Sequence, residues 1–113
     1  MPVVDIDGSR ISSWASFHDV FTAELGFPSF YGRNMNAWID CMTSLDEPDD
    51  GMTTVHGSSS DPVVLRIESA SSIPREVFDA LNECCAFVNW RRMEVGEPAI
   101  LALSYWLTDP RRR

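Results

Sequence analysis

Apolar residues recur along this chain in two rhythms. Trp14, Phe17, Val20, Phe21 and Leu25 fall three or four positions apart, and so do Met35, Trp38, Ile39, Met42 and Leu45. At about 100° per residue, each set gathers on one side of a helix, and that side must be buried. Val77, Leu81, Cys84, Val88 and Arg91 mark a third helix, its stripe widened by Phe78 and Cys85. Short runs of another kind stand between the helices. Val3-Val4-Asp5-Ile6 reads as a short strand. Val63-Val64-Leu65-Arg66-Ile67 is nearly continuous apolar and β-branched, as in a strand covered on both sides. Ala99 to Leu103 is a third buried strand, reaching as far as Tyr105.

The punctuation agrees with these elements. Asp7-Gly8 turns the chain, and Ser12 or Ser13 caps the first helix. Gly26 ends that helix and Pro28 prevents its return. Asn34 is a natural cap for the second, because its side-chain oxygen can accept from an unpaired backbone N–H. This helix is expected from about Met35 to Leu45. Pro74 suits the first turn of the third helix, which should run to about Val95 and end at Gly96. Residues 46–61 are Asp, Glu, Pro, Gly, Ser and Thr with little periodicity, an acidic Ser/Gly loop with Gly57 to Ser60 as its mobile stretch. The tail 107–113 should fray. The order β-α-α-β-α-β predicts one α/β domain over 1–113, with a small three-stranded parallel sheet and right-handed crossovers.

Composition narrows the function. A chain of 113 residues has room for one core, and 44% hydrophobic residues exclude general disorder. No apolar run approaches the roughly 20 residues that span a bilayer. The N-terminus has neither the basic region nor the apolar stretch of a secretory signal, so the cytoplasm is the expected location. Cys41, Cys84 and Cys85 are odd in number and lack Cys-x-x-Cys spacing, which points to core-filling thiols. His18 and His56 are the only histidines, and no serine or cysteine stands in a nucleophile elbow. The acids from Asp46 to Asp50 lack calcium-loop spacing, and Gly57-Ser58-Ser59-Ser60 lacks the second glycine and the lysine of a phosphate loop. No enzyme, metal or cofactor is expected. Core packing accounts for Trp14 and Trp38 better than a stacking platform for single-stranded nucleic acid.

Charge is spread unevenly. Of the net −8, residues 1–50 hold nine acids against Arg10 and Arg33, a net −7. Such a field repels nucleic acid and attracts basic proteins. The same half contains the second helix, whose polar residues Asn36, Asp40, Thr43 and Ser44 lie opposite its apolar arc. Asn36 and Asp40 are four apart and Asp40 and Thr43 three apart, so their side chains are neighbours. Phe30-Tyr31-Gly32 turns the chain into this helix, with Gly32 expected to supply a positive φ. The result is a pre-shaped negative surface rather than a site for bond chemistry.

Three segments carry a family resemblance. They are Phe17 to Phe21 with Glu24-Leu25, then Phe30-Tyr31-Gly32 with Asn34 and Ala37, then Asp40-Cys41-Met42-Thr43. The chain resembles the barstar family, intracellular inhibitors of barnase-type ribonucleases, from the first strand to about Tyr105. The resemblance implies an inhibitor or immunity protein that occludes a basic active site, one lined with arginine, lysine and histidine. Asp40 would take the place of substrate phosphate, with Asn34 and Asn36 as hydrogen-bonding neighbours. Thr43 and Ser44 would touch backbone or rim groups, and Phe30 and Tyr31 would pack at the edge. Ile39 and Leu45 stand where the family has aromatic contact residues, and Asn36 where it has an acid. An arginine near Arg91 matches an acid late in the family's last long helix, with Glu94 as a substitute. The family's short helix after the second strand has only Glu68 to Ile73 to form from, so it is lost or reduced to a turn. The implied partner is a basic ribonuclease or toxin domain, with no nucleic acid or membrane, and a monomer when free. Two other readings keep the fold: immunity against a non-ribonuclease bacterial toxin, or a regulatory module binding another basic protein.

Overall fold

The computed structural model describes residues 2–108. Three strands, β1 (Val3–Asp7), β2 (Val63–Glu68) and β3 (Leu101–Tyr105), alternate with three helices, α1 (Trp14–Leu25), α2 (Met35–Thr43) and α3 (Arg75–Glu94). The sheet is parallel throughout, in the order β1-β2-β3, with Val4 opposite Leu65 and Leu65 opposite Leu103. This is the predicted β-α-α-β-α-β fold. Single turns of tight helix cover Gly8–Arg10, Pro48–Asp50 and Ala70–Ser72, the last standing where a helix after β2 was expected to shrink to a turn.

Local chemistry sets the boundaries of α1. The Ser13 hydroxyl accepts from the Ser16 N–H, and the Ser16 hydroxyl accepts in return from the Ser13 N–H at 2.9 Å. This reciprocal cap satisfies two donors that would otherwise be unpaired. At the other end Gly26 adopts φ +67°, a left-handed conformation that suits glycine. A Cβ here would also collide with the Thr54 side chain. The close approach has a purpose. Thr54 donates its N–H to Leu25 O at 2.9 Å, and Gly57 donates to Leu45 O at 3.0 Å. The loop 46–61 is therefore tied down on the ends of α1 and the segment after α2, with Thr53 buried.

Three burial patterns differ from the sequence expectation, the simplest being β3, which was expected to be buried but buries only Leu101 and exposes Ala102, Ser104 and Tyr105. Val63, Leu65 and Ile67 are buried, but Arg66 is exposed and Val64 is half-buried. The helices cover one face of the sheet only. On the other face Arg66 reaches across to pair with Asp5. Branched apolar residues at 63, 64, 65 and 67 gave β2 the look of a two-sided strand. The buried stripe of α3 runs Val77, Leu81, Cys85, Val88, Arg92, one residue past the expected line at Cys84 and Arg91. Cys84 is half-buried, while Cys41 and Cys85 are deep in the core. Burial pushes the Cys41 thiol up to about 11 and the Cys85 thiol up to about 12, so both stay protonated and unreactive near neutrality. Of the expected frayed tail, Leu107 accepts a backbone hydrogen bond from Ser71, and 109–113 lie outside the described residues.

The shifted stripe puts a cation in the interior. Arg92 is 2% exposed. Its guanidinium grips Asp46 with two parallel bonds of 2.9 Å and donates to Thr43 O at 3.2 Å and Pro98 O at 2.9 Å. Glu97 approaches to 3.1 Å. The hydrogen bond from Arg92 holds the Asp46 carboxyl below its ordinary range, against a smaller opposing effect of burial. Asp46 therefore leaves the acidic loop and becomes a structural residue. Asp46→Ala should destabilise the fold by about 3 kcal/mol, the scale for removing one partner of a buried pair. Because the folded pKa is depressed, this stabilisation is present above the unfolded value and is lost as pH falls through the folded one. Urea melts of wild type and Asp46→Ala should converge as the solution is acidified, and parallel curves at all pH values would disprove the linkage.

Candidate partner-binding face

The turn before α2 positions the face, and two residues shape it. Tyr31 is buried, its ring 4.6 Å from that of Phe27, and its hydroxyl lies 2.6 Å from His18 Nδ1. His18 is itself buried, stacked on Trp14. The histidine that offered no catalytic partner is thus a clamp between α1 and the turn. Burial and then Arg33 depress its pKa, with Asp19 opposing, while burial first raises that of the Tyr31 phenol. The positive φ expected of Gly32 belongs instead to Arg33, at 55°. Arg33 holds that conformation with its guanidinium on Asp19 at 2.9 Å and on Ala15 O at 3.1 Å. Gly32 is not required for a positive φ, but an added Cβ would press to 3.2 Å on the side chain of Asn34, the cap of α2.

The nine residues singled out for partner contact separate into three groups. Phe30, Asn36 and Asp40 are exposed, Phe30 by 73%. Asn34, Thr43 and Ser44 are accessible, but the side chains of the first two and the backbone N–H of the third are already engaged. Asn34 Oδ1 accepts from Ala37 N at 2.8 Å as the helix cap. Thr43 donates to Ile39 O at 2.6 Å, and the Ser44 N–H donates to Cys41 O. Tyr31, Ile39 and Leu45 are buried, Leu45 completely. Burial of Ile39 and Leu45 is what the helical spacing demanded. It takes Leu45 out of a partner's reach, and the aromatic contacts to which they were matched have no counterpart there.

What remains is a face of mixed character. Asp40 projects beside a cleft of about 190 Å³ whose lining includes Phe30, Tyr31, Gly32 and Cys41. The sequence reading placed Arg91 on the buried stripe of α3, but the structure sets it at the helix edge, with Nη2 3.2 Å from Asp40 Oδ1 and 3.0 Å from Thr43 Oγ1. Arg91 thus belongs to the face, and its match to a family acid was the one signal of this in the sequence. Phe87 and Trp90 stack on the outer surface of α3 with centroids 5.8 Å apart, both exposed. Beyond α2, Glu47, Asp49 and Asp50 stay exposed on a tight turn. Among the described residues no helix is long and apolar enough to cross a membrane, and no group of three or more His, Cys, Asp or Glu is placed to hold a metal ion.

Two outcomes follow for this region. Asn34→Ala should cost about 1 kcal/mol through loss of the cap, and Asn34→Asp should restore most of it, as read from thermal melts. A melt unchanged in the alanine variant would show that the cap contributes nothing. His18 has a folded pKa below its unfolded 6.5, so the unfolded chain takes up the proton more readily. Stability should therefore fall as pH drops below about 6.5, and His18→Gln should flatten that part of the profile. An identical profile in the variant would assign the acid sensitivity elsewhere.

Comparison with known proteins bears on the whole chain. A family model described as Barstar (barnase inhibitor) matches residues 1–99. A protein of Bacillus subtilis (strain 168), named "Putative ribonuclease inhibitor YrdF", is 31% identical over 91 residues, which cover 74% of this chain and 100% of that protein.

Proposed function

The chain belongs to the barstar family, and from that premise we propose that it inhibits a barnase-like ribonuclease by occluding its basic active site. The observation that carries this reading is Asp40. It is the carboxylate at the centre of the exposed side of α2, 62% exposed as a side chain, on a helix fixed rigidly to the core by Trp38 and Met42. A site that cleaves RNA must hold phosphate with cations, so a carboxylate presented on a rigid helix can occupy the same ground. Phe30 and Asn36 flank the anchor, and the adjacent cleft gives the partner a place to insert a side chain.

The protein acts by binding rather than catalysis on this reading. Its working location is the cytoplasm, as a monomer when free, with a basic ribonuclease as partner and neither nucleic acid nor membrane. The exposed acids supply the approach. Glu47, Asp49 and Asp50 extend the negative field past the end of α2, and opposite charges at long range raise association rates more than they lower dissociation rates. Barnase and barstar are the standard example of such steering, so its scale for that pair is established knowledge.

The test uses the small basic ribonuclease that the chain retains from its own host. Wild type should block RNA cleavage by that enzyme. Asp40→Ala should weaken binding by about 2 kcal/mol or more, the scale of an interface hot spot, with an unaltered melting temperature. An unchanged dissociation constant at fixed salt would remove Asp40 as the anchor. Neutralising Glu47, Asp49 and Asp50 together should slow association and flatten its dependence on salt, measured by stopped flow. Association insensitive to salt with these acids intact would leave them a role in solubility alone.

A further inference from the structure

The outer side of α3 is apolar where a solvated helix would be polar. Phe87, Trp90 and Met93 are all exposed there, and the rings of Phe87 and Trp90 stack with centroids 5.8 Å apart. The other side of the same turns is the one buried against the core. A helix that is apolar on both sides has a second surface to cover. Aromatic side chains gathered at a surface belong to contact sites more often than to solvated faces.

Two carboxylates close the patch. Glu83, Phe87, Trp90 and Glu94 are spaced four, three and four apart, so they stand in one row along the helix. Both acids are exposed, and neither forms an ion pair among the described residues. Aromatic rings between two carboxylates make a seat for a cation, which the rings attract through their electron-rich faces and the acids through charge. Arg91, next to Trp90 in sequence, leaves the seat open, because its guanidinium is turned to Asp40 and Thr43.

Charge selects the occupant. A second copy docking row to row would bring Glu83 against Glu94 if antiparallel, and each acid against its own counterpart if parallel, between chains that each carry a net −8. Like charges facing one another oppose such a contact. A basic protein supplies the complement. Position points the same way. Phe87 lies one turn before Arg91, on the edge of α3 that meets Asp40, so the row carries the face centred on Asp40 round onto α3.

We propose that this row is a second contact for the ribonuclease, receiving an arginine or lysine side chain that lies outside the enzyme's phosphate-binding centre. Phe87 and Trp90 stack on the cation, and Glu83 and Glu94 balance its charge. The inference rests on the reading of the chain as a ribonuclease inhibitor anchored by Asp40, and it widens the contact from α2 to α3.

The test titrates barnase, a basic ribonuclease of the class that the family inhibits, into wild type, Trp90→Ala, Trp90→Phe, Asp40→Ala and the double variant Glu83→Gln with Glu94→Gln, by calorimetry. Melting temperatures check that each variant is folded, and sedimentation reports the state of the free chain. Trp90→Ala should bind about tenfold more weakly than wild type. Trp90→Phe should recover most of that loss, and the double glutamine variant should bind more weakly with a reduced dependence on salt. Unchanged affinity in Trp90→Ala, with Asp40→Ala still losing affinity, overturns the row and leaves Asp40 as the anchor. A loss in Trp90→Ala with the double glutamine variant unchanged overturns the cation as occupant. Loss in none of the variants overturns both contacts, and so does a wild type that does not bind barnase. A free chain that sediments as a dimer, and as a monomer when Trp90 is replaced by alanine, overturns the proposal in favour of a second copy.

Discussion

A buried guanidinium needs a complete set of partners, and that requirement organises this protein. Arg92 sits almost wholly out of water, where an unpaired charge would be prohibitive. Its partners come from separate parts of the chain: Thr43 and Asp46 at the end of α2, and Glu97 and Pro98 in the turn before β3. One side chain thus fixes where α2 ends against α3 and where the chain turns back into the sheet. Asn89 continues the work one turn earlier, accepting from the N–H groups of Ile100 and Leu101.

The candidate face inherits its geometry from this lock. Successive residues on a helix point about 100° apart. With Arg92 held inward, Arg91 must emerge at the edge of α3, on the side where α2 lies. That places it over Asp40 and Thr43. The interior pair and the surface pair are therefore neighbours in sequence with opposite duties. Arg92 and Asp46 hold the helices together, and Arg91 and Asp40 meet the solvent and whatever docks there. Two of the acids in the negative half of the chain are engaged in this way, so its formal charge overstates the bare negative potential at the centre of the face.

The other end of α2 is held by aromatic packing rather than by charge. Tyr31 and His18 join the turn to α1, and Arg33 takes the left-handed conformation that lets its side chain reach Asp19 and Ala15. A non-glycine residue in that region carries strain of about 1–3 kcal/mol, sustained only where surrounding contacts fix it. A helix anchored at both ends presents its polar side without first having to order it, which lowers the entropic cost of binding.

By itself the sequence determined the element order, the parallel α/β class, the caps at Asn34 and Gly26, the buried arc of α2 and the solvent-facing position of Asp40. These follow from spacing and local backbone chemistry, which act over a few residues and are written in consecutive letters. The same spacing also showed that Ile39 and Leu45 belong inside, although family matching placed them at the contact. Tertiary structure decided the rest. Whether Arg91 or Arg92 enters the core turns on one residue of helical phase, and periodicity cannot resolve that when both are arginine. Only the acceptors that surround it select the second: Thr43 and Asp46, remote in sequence, and Pro98 in the turn that follows α3. Likewise Arg66 marks β2 as one-sided only once Asp5 stands beside it, and Asp46 ceases to be a loop acid only when α3 brings a cation to it. Long-range charge pairing set these choices, because its energy depends on partners and solvent exclusion that no local pattern records.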